Sequence, residues 1–297
     1  MPLRLIVTSG FLLSLATGCA LTGRRGPAPA EFAAARDMSQ QGLAAVESGN
    51  WDQAETLLRK SIETTPSDAT SRRYLAEALW RRGAMEDALD QMEAAVDADG
   101  SDPQLAVRSG EMLLAANSLE LAAQRAEHAI RLNPKSAAAW ALRGRIHMRM
   151  NKMDRALADF QRALEYAPKD RNVLHEIAEI YQKIGQPTRC LTTLHQLIET
   201  FPPGQAPQQV LMWEGVTLRE LGRGRQAAES LAAASRAGPP NIEILSQLAQ
   251  VQAALGENVA AQQAAQQALA IDPSHAPSRE LIARLAEQAK PTEPLRR

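Results

Sequence analysis

The chain of 297 residues holds few aromatic residues, 4% of the total, and only two cysteines. Aromatic and β-branched side chains favour strands, so a shortage of them argues against a β-sandwich or a β-barrel. Ala and Leu, which favour helices, supply much of the apolar content, and the composition therefore predicts an all-α protein. Cys19 and Cys190 are too few for a disulfide framework or a thiolate metal cluster.

The chain also lacks an excess of charge of either sign. Lys and Arg number 33, Asp and Glu number 34, and the formal net charge is −1. A protein that binds nucleic acid needs a basic excess to neutralise phosphates. We therefore predict that nucleic acid is not a partner.

Catalytic patterns are missing as well. The five histidines form no metal-ligand pair with i, i+4 spacing, and the glycines form no phosphate-binding loop. The nearest candidate is His175 with Glu176 and Glu179, which lacks the second histidine of the zinc-protease motif. We interpret these three residues as a solvated ion group, and we predict no enzyme, no metal and no cofactor. A metal-dependent hydrolase is the alternative, which metal retained after purification would support.

The first residues have the order of charge and hydropathy that marks a secretory signal. Arg4 precedes an apolar run over residues 5–15, and small residues follow up to Cys19. The run is too short to cross a bilayer as a helix, which takes about 20 residues. It therefore predicts an exported protein.

The end of this segment, LATGC at 15–19, resembles the lipobox of bacterial lipoproteins. The resemblance implies that a signal peptide, 1–18, is removed and that Cys19 is acylated, which anchors the protein on the periplasmic side of the cell envelope. Ala20 stands where an Asp would favour the inner membrane, so the resemblance favours the outer membrane. Residues 19–34 are predicted to contain the lipidated cysteine and a flexible tether. The alternative is an ordinary signal peptide in which Cys19 has no role.

The sequence that follows repeats a pattern of 34 residues. Seven repeats fill residues 35–275, with a three-residue insertion after the fifth repeat. Their ranges are 35–68, 69–102, 103–136, 137–170, 171–204, 208–241 and 242–275.

Several columns of this repeat indicate two helices joined by a tight turn. Repeat positions 8 and 20 hold small residues, as needed where two helices cross closely. Position 15 holds Gly or Asn, the residues that best tolerate the left-handed conformation at a helix end. The residues at position 15 are Gly49, Gly83, Asn117, Asn151, Gly185, Gly222 and Gly256. A proline at position 32 of six repeats then ends the second helix.

These columns resemble the tetratricopeptide repeat. The fourth repeat carries the family pattern at Trp140, Gly144, Ala156, Phe160, Ala163 and Pro168. The resemblance implies a right-handed α-solenoid of about seven helix-turn-helix repeats. The amphipathic segment 276–290 is predicted to be a capping helix, and 291–297 a disordered tail.

In the tetratricopeptide family, the first helices of the repeats line a concave groove, and repeat positions 2, 5, 6, 9, 12 and 13 face the ligand. Carried over to this sequence, the resemblance implies a peptide-binding groove that contains Arg73, Tyr74, Glu77, Trp80, Arg81, Arg108, Glu111, Arg145, Met148, Arg149 and Trp213. Arginine predominates at these positions in repeats two to four, and acidic residues predominate in repeats five to seven. We therefore expect the arginine-rich half to bind protein partners with acidic segments.

Together these features predict a membrane-anchored scaffold that binds a peptide or a helix of a partner protein and supports the assembly of an envelope or secretion complex. The alternative from another class is a structural envelope protein that associates with itself. The sequence leaves the oligomeric state open.

Overall fold

The computed structural model describes residues 28–288, and all the regular secondary structure within this range is helical. The predicted lipobox with Cys19 and the predicted tail, 291–297, lie outside the described residues. Within 28–288, no helix combines the length and the apolar character that crossing a bilayer requires. The prediction of an all-α protein is confirmed.

The chain divides into two compact units, 1–84 and 85–297. The described part of unit 1 contains the helices α1 (Pro29–Glu47), α2 (Trp51–Thr64) and α3 (Ala69–Arg81). In this unit α2 packs against both α1 and α3, and Ala54 and Leu58 on α2 are fully buried. The boundary between the units falls inside the second 34-residue repeat.

Unit 2 contains twelve helices within its described residues. They are α4 (Met85–Ala98), α5 (Pro103–Ala115), α6 (Leu119–Leu132), α7 (Ala137–Arg149), α8 (Met153–Tyr166), α9 (Arg171–Lys183), α10 (Pro187–Glu199), α11 (Gln208–Glu220), α12 (Gly224–Arg236), α13 (Ile242–Ala254), α14 (Asn258–Ile271) and α15 (Ala276–Gln288). Each of these helices packs against the one that follows it in sequence. The odd-numbered helices α5 to α13 are the first helices of their repeats, and the even-numbered ones are the second helices.

The helix starts coincide with the 34-residue frame. The first helices of repeats two to seven begin at the residues where the frame places the repeats, which are Ala69, Pro103, Ala137, Arg171, Gln208 and Ile242. A capping side chain explains several of these starts. The carboxylate of Asp170, for example, accepts the backbone N–H groups of Asn172 and Val173, at 2.9 and 3.2 Å.

The chain becomes helical earlier than the frame predicts at its N-terminal end. Helix α1 begins at Pro29, inside the segment 19–34 that the sequence analysis assigned to the tether. Proline suits the first helical position because its missing N–H would have no partner there. The backbone N–H of Ala28, the residue before the helix, donates to Glu31 Oε2 at 2.8 Å, and this bond gives the N–H of the capping residue a partner.

The turns between the paired helices have the predicted backbone conformation. All seven residues at repeat position 15 have a positive φ, between 58° and 83°. Asn151 is one of two that are not glycine, and the next residue, Lys152, donates its N–H to the carbonyl of His147 at 2.8 Å. This bond satisfies a carbonyl at the end of α7 and turns the chain into α8.

The small residues at repeat positions 8 and 20 are buried where the paired helices cross. At Gly144, a Cβ atom would lie 2.6 Å from Cε1 of Phe160, so the glycine leaves the space that the buried ring fills. Position 8 therefore packs against position 24 of the same repeat. The prediction paired it with position 20 alone, which holds Ala156 in this repeat and is also fully buried.

Candidate functional site

The first helices α5, α7, α9 and α11 of unit 2 line two adjoining cavities. The carboxylate cavity, of about 620 Å³, is lined by Glu111, Arg145, Asn172, His175 and Glu176. The tryptophan cavity, of about 290 Å³, is lined by His175, Glu179, Gln182, Gln209, Met212, Trp213 and Val216. His175 contributes to both, and we call the two cavities together the α5–α11 groove.

Every residue that lines this groove occupies repeat position 2, 5, 6, 9 or 12. The turns and caps described above fix the rotation of each first helix, so residues at these positions share one face. Position 6, for example, is Glu176 on α9 and Trp213 on α11. The structure thus places side chains from the family's ligand-facing positions around a pair of cavities.

An ion pair between two repeats dominates the carboxylate cavity. Arg145 Nε on α7 donates to Glu176 Oε1 on α9 at 2.7 Å. The second oxygen, Glu176 Oε2, is buried and has no hydrogen-bond partner. Burial raises the pKa of Glu176, against the opposing effect of Arg145, because a buried carboxylate loses its hydration.

The other arginine predicted in this part of the groove is also paired with a carboxylate. Arg108 Nη1 lies 3.0 Å from Glu111 Oε2, one helical turn away on α5. Both guanidinium groups that were expected to attract acidic ligands therefore already bind carboxylates. An acidic ligand would have to compete with Glu111 and Glu176 for them.

The tryptophan cavity is built around two rings. The rings of His175 and Trp213 meet edge to face, with centroids 5.2 Å apart and planes inclined by 64°. The indole Nε1 of Trp213 is buried and has no hydrogen-bond partner. At the edge of the cavity, Lys183 Nζ lies 2.6 Å from Glu179 Oε1.

Two other predicted groove residues of unit 2 have different surroundings. Met148 is partly buried and packs against the hydrophobic cluster that includes Phe160. Arg149 Nη2 donates to Asn117 Oδ1 at 2.9 Å, so its guanidinium lies beside the turn of the preceding repeat. Neither residue lines the α5–α11 groove.

The remaining predicted groove residues lie on α3 of unit 1. Arg73 stacks its guanidinium on the ring of Tyr74, 4.5 Å from the centroid. Arg81 lies 5.8 Å from the centroid of Trp51. Glu77 and Trp80 are half-buried on the same helix.

The three residues of the hydrolase alternative do not form a metal centre. Among residues 28–288, no group of three or more His, Cys, Asp or Glu side chains is placed to hold a metal ion. His175 contacts Trp213, while Glu176 and Glu179 bind Arg145 and Lys183. These contacts make all three residues part of the groove surface.

The fourth repeat contains a buried ion network that was not predicted from the sequence. Asp159 accepts from Arg143 Nε and Nη2, at 3.0 and 2.7 Å, and lies 2.8 Å from His147 Nδ1. The hydrogen bond to Asp159 raises the pKa of the Arg143 guanidinium. The opposite charges of Arg143 at repeat position 7 and Asp159 at repeat position 23 would have indicated the pair.

Most of the groove-lining residues were also absent from the predicted set. Asn172, Gln182 and Gln209 are uncharged and were not considered, and His175 was considered as a metal ligand and interpreted as part of a solvated ion group. The position rule that selected Arg145 and Trp213 selects these residues as well. Applying it to every residue type would have found them.

Comparison with known proteins agrees with the fold. Models of the tetratricopeptide repeat match residues 39–103, 137–170 and 173–203. The type IV pilus assembly protein PilF of Pseudomonas aeruginosa is 26% identical over 226 residues, which cover 74% of this chain and 88% of PilF.

Solved structures show the same architecture. The C-terminal part of a TPR repeat-containing protein from Cytophaga hutchinsonii superposes with a TM-score of 0.68 at 14% identity, over 82% of this chain and 99% of that one. YrrB, described as a TPR protein with an unusual peptide-binding site, has a TM-score of 0.56 at 18% identity, over 64% of this chain and 96% of its own. The chain therefore carries tetratricopeptide repeats and has the α-solenoid fold that such repeats build.

Proposed function

We propose that this protein is a lipid-anchored scaffold whose α5–α11 groove binds a peptide or a helix of a partner protein during the assembly of an envelope complex. The observation that carries the proposal is the pair of adjoining cavities on successive first helices, with Trp213 Nε1 and Glu176 Oε2 buried and unpartnered. A buried polar atom without a partner is costly. A peptide can supply both a donor and an acceptor, so its binding would satisfy both atoms.

The process that we propose comes from the sequence relative. PilF is named as a type IV pilus assembly protein, and its similarity extends over most of both chains. We propose that the present chain likewise serves the assembly of a pilus or secretion machine. Its role would be to hold a partner segment at the membrane, since tetratricopeptide repeats mediate contacts between proteins.

The anchor that we propose is Cys19, in the periplasmic leaflet of the outer membrane. Replacement of Cys19 by Ser is expected to release the protein from the membrane fraction, since several acyl chains at about 0.8 kcal/mol per buried CH₂ hold such an anchor in place. Mass spectrometry of the N-terminal peptide should show the acylated cysteine in the wild type. Membrane attachment of the Cys19→Ser variant would contradict the anchor.

The groove is tested by a pull-down from membranes with the full-length tagged chain. A Met212→Ala, Trp213→Ala variant removes the apolar side chains of the tryptophan cavity. A Gln196→Ala, Glu199→Ala variant alters a separate cavity beside α10 and serves as the control. We expect a partner to be lost from the first variant and retained by the second. Equal capture by both variants would contradict binding in the groove.

A further inference from the structure

The unpartnered atoms of the α5–α11 groove differ in the chemistry they require. Glu176 Oε2 is an acceptor on α9, and Trp213 Nε1 is a donor on α11. The His175 ring lies against Trp213, one residue before Glu176 in the chain, so the two atoms belong to one continuous surface. A ligand that covers this surface must donate to the first atom and accept from the second.

The unpartnered oxygen of Glu176 favours a cationic donor. Two of the carboxylates that line the cavities are already paired, Glu111 with Arg108 and Glu179 with Lys183. Glu176 binds Arg145 through Oε1 alone and keeps Oε2 without a partner. A ligand carboxylate next to Glu176 Oε2 would be repelled, and it would leave that oxygen without a donor. A Lys or Arg side chain supplies several N–H donors and the complementary charge.

The tryptophan cavity favours an apolar side chain elsewhere on the same ligand. Met212, Trp213 and Val216 present apolar surface there. A peptide carbonyl can accept the indole N–H while an adjacent apolar side chain covers the ring. Because His175 lines both cavities, the basic and the apolar side chains would stand close together along the ligand.

We propose that the α5–α11 groove selects a segment with a Lys or Arg side chain for the carboxylate cavity and an apolar side chain for the tryptophan cavity, with Glu176 and Trp213 as the selecting residues. This inference rests on the proposed groove function. It reverses the expectation of an acidic ligand for this part of the groove, because Arg108 and Arg145 are engaged by carboxylates within the protein.

The test is a selection of random twelve-residue peptides displayed on phage against the immobilised full-length chain. The same peptide selection is carried out in parallel against three variants of the chain. Glu176→Gln removes the charge with little change in shape, Trp213→Phe removes the indole N–H, and Glu165→Gln makes the same charge change at an exposed carboxylate on α8. Synthetic copies of the selected peptides, and copies with norleucine in place of Lys or Arg, are then measured by calorimetry.

We expect the wild type and Glu165→Gln to enrich Lys or Arg close to an apolar residue. Glu176→Gln should lose the basic preference and bind the basic peptide about tenfold more weakly, as for a lost hydrogen bond to a charged group. Trp213→Phe should weaken the basic and norleucine peptides by the same factor.

Two other outcomes separate this inference from the function on which it rests. Enrichment of acidic or uncharged peptides whose binding is weakened by Trp213→Phe would overturn the basic preference and leave the groove function standing. Selected peptides that bind all three variants as well as the wild type would overturn the groove function, and the inference with it.

Discussion

Arg145 on α7 and Glu176 on α9 are joined by a single hydrogen bond of 2.7 Å, from Nε to Oε1, and the other carboxylate oxygen is buried without a partner. The pair links the first helices of the fourth and fifth repeats. The hydrogen bond occupies the Nε–H donor of Arg145, and it leaves Glu176 Oε2 as an acceptor for a ligand. The ion pair is thus both a contact between repeats and part of the α5–α11 groove.

The protonation of Glu176 should make stability depend on pH. Burial raises the pKa of this carboxyl above its ordinary value of 4.5 in the folded protein. The folded state then binds the proton more readily than the unfolded state, so the free energy of unfolding should fall as the pH rises from about 4.5 through the folded pKa.

This effect is measured by urea denaturation of the wild type and the Glu176→Gln variant at several pH values. The difference in the free energy of unfolding, wild type minus variant, should decrease across that window and then level off. Glu165→Gln, an exposed carboxylate on α8, provides the matched comparison. A difference that increases with pH would show that Arg145 outweighs burial.

Crowding at Gly144 should make its replacement by Ala destabilising. The new Cβ would meet the buried ring of Phe160 at 2.6 Å, and overpacking of this kind costs about 1–3 kcal/mol. The gain in helix propensity from Gly to Ala returns up to about 1 kcal/mol. We expect a net loss of about 1–2 kcal/mol in urea denaturation.

A second substitution tests whether Phe160 is the cause. In the fifth repeat, Ala178 and Leu194 occupy the same two columns and are both fully buried. Gly144→Ala introduced into a Phe160→Leu protein should therefore cost less than it does in the wild-type protein. The same loss in both backgrounds would show that the ring is not responsible.

The buried ion network of the fourth repeat should be important for stability. Asp159 is 5% exposed and binds both Arg143 and His147. Breaking a buried pair costs about 3–5 kcal/mol, and partial exposure of Arg143 places Asp159→Asn near the lower end of that range. Asp154→Asn, an exposed carboxylate on the same helix, should change the urea midpoint little. Equal effects of the two substitutions would contradict a structural role for the network.

The repeat frame made much of the fold predictable from sequence. Each position 15 needed a left-handed residue, and only Gly and Asn occur there, so the turns at Asn117 and Asn151 could be located without a structure. The start of α1 could not be located in this way. It depends on a local hydrogen bond between Ala28 and Glu31, which has no counterpart in the period of 34 residues.

The sequence predicted which repeat positions face the groove, but it did not predict which charged side chains pair there. The position rule places Arg145 and Glu176 on the ligand-facing side of their helices, but it does not say that the two side chains bind each other. From their repeats, the two residues were expected in opposite halves of the groove, the arginine-rich half and the acidic half. The pair crosses the boundary between those halves, because the long side chain at position 9 of one first helix reaches position 6 of the next first helix.

The most direct test of the central claim is photo-crosslinking in cells that make the full-length protein. A benzophenone amino acid replaces Gln209, an exposed residue of the tryptophan cavity, or Gln196, an exposed residue beside α10. We predict that position 209 crosslinks to a partner protein and that position 196 does not. Crosslinks to the same partner from position 196 alone would contradict binding in the α5–α11 groove.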